Sequence, residues 1–437
     1  MTGSWPVGNL LIGAVALAVR DINSDPEILR GKRLEYVWGD DGCDRSKSVA
    51  EFFDMLDHSG PIDALIGPGC SRGCEATATL TQARNIPQIS ATCAAATLSN
   101  KDEFPFFVRT TSPYTKWAPA IVALMQWAAW TRLSIVGDTA MASAAAALRA
   151  VAAKSGFQLG IDLQFNEGHL LGAPGQSSPL LSILGVGVRV VAVFAFGSDY
   201  RAIAVEAQKH GMSHGWVWMG IDMVFGSEQG TTGTELSLAQ AALHGWIYFE
   251  PSNAANRTFF DRVKAASIAD FGQHLGDAES TSLYAANLYD AITLFAVAAS
   301  KHILDSSNGK LIVDAMRNAS FDGMTGRVLL DESGDMKESI RTMNYVLEAD
   351  GIMRGRRMGT YSGLNQEYSA AQYAVIWPGG SSAMPVAWLS CEIGSYLVQQ
   401  SLCEPCPAGS RSVGGTVTSC QQCSAGLRSC RAHGLVV

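Results

Sequence analysis

The stretch 62–109 constrains the fold more than any other part of the chain: IDALIGPGCSRGCEATATLTQARNIPQISATCAAATLSNKDEFPFFVR. A buried strand at 64–66 runs into the tight loop Gly67-Pro68-Gly69-Cys70-Ser71. An Ala/Thr/Leu helix at 75–84 follows, then a second buried strand at 86–90. Short apolar runs on either side of a helical pattern make a β-loop-α-β unit, whose parallel strands are buried on both faces. The loop presents backbone N–H groups and the Ser71 hydroxyl at a helix entrance, where anionic groups are attracted. The other reading of the glycine pair is a tight turn and nothing more.

The same alternation runs along most of the chain. Further strands are expected at 34–38, 133–136, 188–196, 217–219 and 245–249, and helices at 45–57, 117–129, 142–153 and 199–209. Such alternation predicts α/β architecture, with parallel sheets flanked by helices. The run 10–19 (LLIGAVALAV) has the composition of a signal-peptide centre. No basic residue precedes it and it continues into Arg20-Asp21-Ile22, so it reads as an amphipathic-to-buried helix. A helix over 282–303 is apolar all round and therefore buried. The segments 326–330 and 342–347 predict a β-hairpin across the Asp/Gly-rich 331–335, and 354–382 reads as an irregular linker. At 437 residues the chain needs two or three domains. No apolar run reaches the length of a membrane span.

The net charge is −8, with no basic cluster carrying interleaved aromatics. This argues against nucleic acid and against an anionic membrane surface as partners. Of ten cysteines, four lie early (Cys43, Cys70, Cys74, Cys93) and six late (Cys391 to Cys430). Clusters of this kind suggest local disulfides and an oxidising compartment. Asn256-Arg-Thr and Asn318-Ala-Ser are glycosylation sequons. In the tail, Cys403-x-x-Cys406 recurs as Cys420-x-x-Cys423 after seventeen residues. Paired CxxC motifs hold either zinc or disulfides; the Pro/Gly/Ser composition and the additional cysteines favour disulfides. The eight histidines are scattered, and Gly211 interrupts any helix joining His210 to His214. No nucleophile triad, zincin or P-loop pattern is present, so the chain reads as a non-enzyme without metal or cofactor.

Several segments, in this order, resemble the bilobed periplasmic-binding-protein type I ligand domains of natriuretic-peptide receptors and class C G-protein-coupled receptors. They are 14–25 (AVALAVRDINSD), 40–56 (DDGCDRSKSVAEFFDML), 66–71 (IGPGCS), 86–90 (IPQIS), 104–113 (FPFFVRTTSP), 289–298 (YDAITLFAVA) and 321–335 (FDGMTGRVLLDESGD). Within this family the residues are most similar to GABA type-B receptors. The resemblance implies a two-lobed clamshell, with lobe 1 at 1–112 and 251–325 and lobe 2 at 113–250 and 326–385. The tail, 386–437, looks like an ephrin-receptor-like cysteine-rich module. The family's first lobe opens with a central strand ahead of the Trp5 loop. Only 1–4 precede Trp5 here, so the resemblance implies a fragment lacking that strand and a signal peptide.

Family roles transfer residue by residue. Trp5 matches a tryptophan that packs on the ligand; the alternative is a core tryptophan. Ser71 matches the serine that receives a ligand carboxylate. Ala94 stands where a second carboxylate-binding serine is found, with Thr92 and Ser90 close by. Thr111 replaces a contacting histidine, and Phe196 replaces a tyrosine, keeping the ring without the phenol. Asp222 is similar to an aspartate that binds an α-amino group in metabotropic glutamate receptors; the alternative is a helix or turn cap. Tyr284 stands in place of the acid that holds the ligand amine. A buried ammonium without a carboxylate partner is costly, which argues against GABA itself. The resemblance pairs Cys43 with Cys70. Cys74 and Cys93 have no family partner, and bridge each other, compete for Cys43 or remain reduced. The expected function is the extracellular ligand-binding region of a cell-surface receptor for a small amino-acid-like molecule. Closure would provide the signal, a dimer would form through lobe 1, and a G protein or other effector would couple through a region outside this chain. The alternatives are a soluble binding protein and the ectodomain of a receptor guanylate cyclase.

Overall fold

The structure is a computed structural model that describes residues 8–166, 177–195, 197–221, 233–252, 257–273, 282–302, 308–337 and 339–385. It also describes short pieces of the tail at 395–398, 402–405, 407, 410–411, 419 and 421–422. Among the described residues the α-helices are α1 Gly8–Ser24, α2 Arg45–Ser59, α3 Ser71–Ala83, α4 Tyr114–Trp127, α5 Ala142–Lys154, α6 Leu181–Gly185, α7 Gly197–Lys209, α8 Gly233–Leu243, α9 Arg257–Phe271, α10 Ser282–Lys301 and α11 Gly309–Arg317. The strands ahead of the tail are β1 Leu65–Ile66, β2 Gln88–Ser90, β3 Phe107–Arg109, β4 Arg132–Asp138, β5 Gln158–Phe165, β6 Val190–Phe194, β7 Val217–Ile221, β8 Ile247–Pro251, β9 Ser320–Gly323, β10 Gly326–Leu329, β11 Ile340–Leu347, β12 Met353–Tyr361 and β13 Tyr368–Ala370. No described helix is long and apolar enough to cross a membrane.

The chain divides into two compact units, each built from discontinuous segments. One comprises Met1–Ala120, Glu250–Arg341 and Thr360–Ser369; the other comprises Ile121–Phe249, Thr342–Gly359 and Ala370–Val437. In the first, β1, β2 and β3 form a parallel sheet, with Ile66 opposite Ile89 and Ser90 opposite Arg109. Ala18 and Ile22 of α1, Leu294 of α10 and Ile312 of α11 pack with Ile89 and Val108. Phe52 of α2 packs with Leu65 and Ile86 in a separate cluster, and Cys74 and Ala78 of α3 pack with Phe107 in another. Helices on both faces explain why the strands read as continuous apolar runs rather than alternating ones.

The larger sheet has the order β13-β12-β11-β8-β7-β6-β4-β5, and from β5 to β8 its neighbours are parallel. In its core Trp216, Trp218 and Trp246 stack, with ring centroids 6.1 and 5.0 Å apart along the series.

Three sequence expectations are corrected. The segment 34–38 forms no ladder; its Leu34 backbone is instead held by the Asn23 side chain at 2.8 and 2.9 Å. The expected hairpin partner of β10 is also wrong: β10 pairs antiparallel with β9, while β11 joins the large sheet. The Asp290 carboxylate imposes the β9–β10 turn by accepting the N–H groups of Met324 and Thr325 at 2.7 and 2.8 Å. Finally, the expected linker at 354–382 contains the nine-residue strand β12. Its Arg354 and Arg356 are exposed and pair with Asp350 and Glu348, so the strand shows no apolar alternation to read.

Candidate functional site

The loop after β1 is the best-defined candidate. Gly67 has φ +123°, a conformation that L side chains rarely adopt, and its N–H bonds Ile89 O at 2.7 Å. The chain then turns through Pro68 and Gly69 into α3. Two disulfides fasten this turn: Cys43 to Cys70, with Cα atoms 5.2 Å apart, and Cys74 to Cys93, at 6.5 Å. Gln88 supports it from beneath, donating to Gly67 O at 2.9 Å and accepting from Thr77 and Thr81.

The amides of the loop are not all open. Asp41 Oδ2 accepts the Gly69 N–H at 2.8 Å, and Asp41 Oδ1 accepts the Cys43 N–H at 2.9 Å. The Gly73 and Cys74 amides bond Cys70 O. The Ser71 hydroxyl accepts the Ala95 N–H at 3.0 Å, and no described residue accepts its proton. Ser71 therefore stands at the N-terminus of α3 with a donor to offer, where the helix end favours a negative group.

Thr92 donates to Gly69 O at 2.7 Å, and Ser90 Oγ accepts the N–H groups of Thr92 and Cys93. Ala94 is buried beside them. Ser71, Thr92 and Ala94 thus share the carboxyl end of β1 and β2, and Thr111 lies beyond the end of neighbouring β3, where it is buried. Tyr284 is buried near the start of α10; one turn on, Asn287 donates to Thr110 O and accepts from Thr110 Oγ1 through its backbone carbonyl. Trp5, Phe196, Asp222 and Asn256 lie outside the described residues, as do Cys406, Cys420 and Cys423. Cys403 belongs to the short strand Leu402–Pro405, paired with Ser395–Val398. Asn318 is exposed at the end of α11.

Two residues that sequence reasoning passed over organise the loop. Asp41 holds Gly69. Arg109, fully buried, donates from Nε to Asp335 at 2.6 Å and from Nη1 to Cys93 O and Ala95 O, both at 2.8 Å. Its guanidinium thereby holds the backbone that carries Thr92 and Ala94. An arginine ending an apolar strand (FPFFVR) is the only local signal for such a role. Lys101 lies alongside, donating to Leu98 O and Phe107 O at 2.7 and 2.8 Å; burial pushes its pKa down to about 7.

A cavity of about 630 Å³ adjoins the loop at Gly67–Cys70 and Thr92, but does not include Ser71. It runs between the stretch 33–41 and residues 61–66, beside Val15 of α1 and Ile292 of α10. Among the described residues its neighbour β1 has a strand partner on one side only. A strand in a packed sheet occupies about 160 Å³ per residue, from its rise, strand spacing and sheet thickness. The cavity has room for a short stretch of strand beside β1.

The family profile described as "Receptor family ligand binding region" matches residues 11–346. The chain is 23% identical over 367 residues to gamma-aminobutyric acid type B receptor subunit 1 of Mus musculus, covering 76% of this chain and 37% of that protein. It is 22% identical over 391 residues to a receptor-type guanylate cyclase of Drosophila melanogaster, covering 77% and 25%. To the resact receptor of Arbacia punctulata it is 32% identical over 124 residues, covering 28% and 12%. The chain therefore spans well under half the length of these relatives.

Proposed function

We propose a function from one premise: this chain belongs to the family of receptor ligand-binding regions, which have the periplasmic-binding-protein type I fold. On this reading it is the extracellular ligand-binding region of a cell-surface receptor, and it captures a small amino-acid-like molecule. The observation that carries the reading is Ser71, a hydroxyl donor at a helix N-terminus in a loop fastened by two disulfides. The proton of Ser71 is offered to a ligand carboxylate, with Thr92 and the position of Ala94 beside it. Trp5, Thr111, Phe196, Asp222 and Tyr284 complete the proposed ligand contacts. Lobe 1 (1–112 and 251–325) receives the ligand first and lobe 2 (113–250 and 326–385) closes over it. Closure signals only to the extent that ligand binds the closed form better than the open one. A dimer through lobe 1 and an effector coupled through a further region belong to the same proposal, as does glycosylation at Asn256 and Asn318.

The buried Tyr284, in place of an acid, supports a ligand whose amine is either absent or held elsewhere, rather than GABA. A second reading, the ectodomain of a receptor guanylate cyclase, is supported by the likeness to such a cyclase over 77% of the chain. A thermal-shift screen of amino acids and related small acids tests the site. Stabilisation by one of them that Ser71→Ala abolishes supports it; stabilisation unchanged in that variant places the ligand elsewhere.

A further inference from the structure

Arg189 and Trp216 stand side by side at the amino ends of β6 and β7. The register pairs Val190 with Val217, and the Val217 N–H bonds Arg189 O at 2.9 Å, so 189 and 216 are adjacent across the sheet. Residues in register project to the same face. On that face Trp216 stacks on Trp218 within the apolar core. Arg189 is 3% exposed and Trp216 1%. Arg189 Nη2 and Trp216 Nε1 are both buried donors without a hydrogen-bond partner. No described carboxylate pairs with the guanidinium. Its Nη1 fills the space over Gly215, 2.9 Å from where a side chain there would begin, and Gly215 has φ +75°. Burial alone lowers the guanidinium's pKa to about 10, which leaves it charged at neutral pH.

An arginine has five N–H donors and no acceptor, and a buried charge without a counter-charge is among the costliest arrangements in a folded chain. Water supplies a hydrogen bond but no charge. A neighbouring indole, donor only, adds a second N–H of the same polarity and cannot itself compensate the cation. The geometry points to a binding site for one small monovalent anion, of chloride or formate size, at Arg189 Nη2, with Trp216 Nε1 as the neighbouring donor. The charges of guanidinium and anion cancel, and two orphan donors gain one acceptor. The site lies at the opposite end of its own strands from their carboxyl termini.

The test is the unfolding temperature of the whole chain in sodium chloride, sodium formate and sodium gluconate at equal ionic strength. A rise of several degrees in chloride or formate over gluconate is expected in the unaltered protein, saturating with concentration as a binding equilibrium requires. Arg189→Met, which keeps the aliphatic stem, is expected to abolish the rise. Trp216→Phe is expected to shift its midpoint to higher anion concentration. An equal unfolding temperature in all three salts overturns the proposal, as does an anion effect that persists in Arg189→Met. If Arg189→Met does not fold, line broadening of the ³⁵Cl resonance by the unaltered protein decides the matter. Broadening reversed by formate supports the site, and its absence overturns it.

Discussion

The carboxylate of Asp41 accepts the backbone N–H of Gly69 at 2.8 Å, across 28 positions of sequence. A loop that reads in sequence as an open anion cradle therefore already carries an anion of its own. What remains for a ligand is the Ser71 end of the loop. This separation of an internal carboxylate from the exposed hydroxyl makes the two roles testable independently.

Asp41→Asn keeps the shape of the side chain and removes its charge. Hydrogen bonds to charged groups contribute about 1.5–3 kcal/mol, so a loss of stability on the order of 1 kcal/mol or more is expected. With the competing charge gone, small carboxylates are expected to bind more tightly. Denaturant titration and calorimetric titration with acetate measure the two effects. Unchanged stability would show that the Gly69 contact contributes nothing measurable.

Arg109 and Asp335 form a buried ion pair with both side chains almost inaccessible. Breaking such a pair from one side costs about 3–5 kcal/mol, because the other charge stays buried. Arg109→Met also strands the carbonyls of Cys93 and Ala95. It is expected to lower stability by about that amount, and to weaken any ligand dependent on Ser71 in whatever fraction still folds. Asp335→Asn is expected to cost less than Arg109→Met, since the arginine keeps its bonds to the carbonyls. Chemical denaturation of both variants gives the order.

Lys101 supplies a pH dependence. Burial, the leading cause, lowers its pKa from 10.5 to about 7, with Asp335 partly opposing the shift. Between these values the unfolded chain binds a proton that the folded chain does not. Stability linked to this group therefore rises with pH from about 7 to 10.5 and is level below 7. The slope is at most about 1.4 kcal/mol per pH unit. Lys101→Met is expected to flatten the difference, and unfolding midpoints at about pH 6, below the window, and about pH 7.5 and 9, within it, compare the two proteins.

The cavity beside β1 is expected to accept a strand. A free peptide of about five apolar residues should slow hydrogen exchange at 35–38 and 64–66 and raise the unfolding temperature. The same peptide interrupted by proline should do neither, because proline lacks the ladder donor. Equal exchange with both peptides would assign the cavity to something other than a strand.

Much of the fold was legible in local pattern. The β1–loop–α3–β2 unit, the parallel order of the core strands and the buried α10 follow from apolar runs, glycine turns and helical periodicity, all properties of neighbouring residues. The edge strand β5, mostly exposed, escaped notice for lack of an apolar run, and β12 for the charges it carries. The partner of β10 was misassigned because Asp290, more than thirty residues upstream, shapes its turn.

The sequence alone determined the class of this protein: an α/β chain with clustered cysteines and a serine-bearing loop at a helix entrance. Tertiary structure decided which groups in that loop are already satisfied. Asp41 on Gly69, Arg109 on the 93–95 backbone and Asp335 on Arg109 are meetings of residues from 14 to 226 positions apart. Periodicity reports which face of an element is apolar. It carries no information on which distant polar group fills a particular donor, because packing brings those partners together only after the elements have formed.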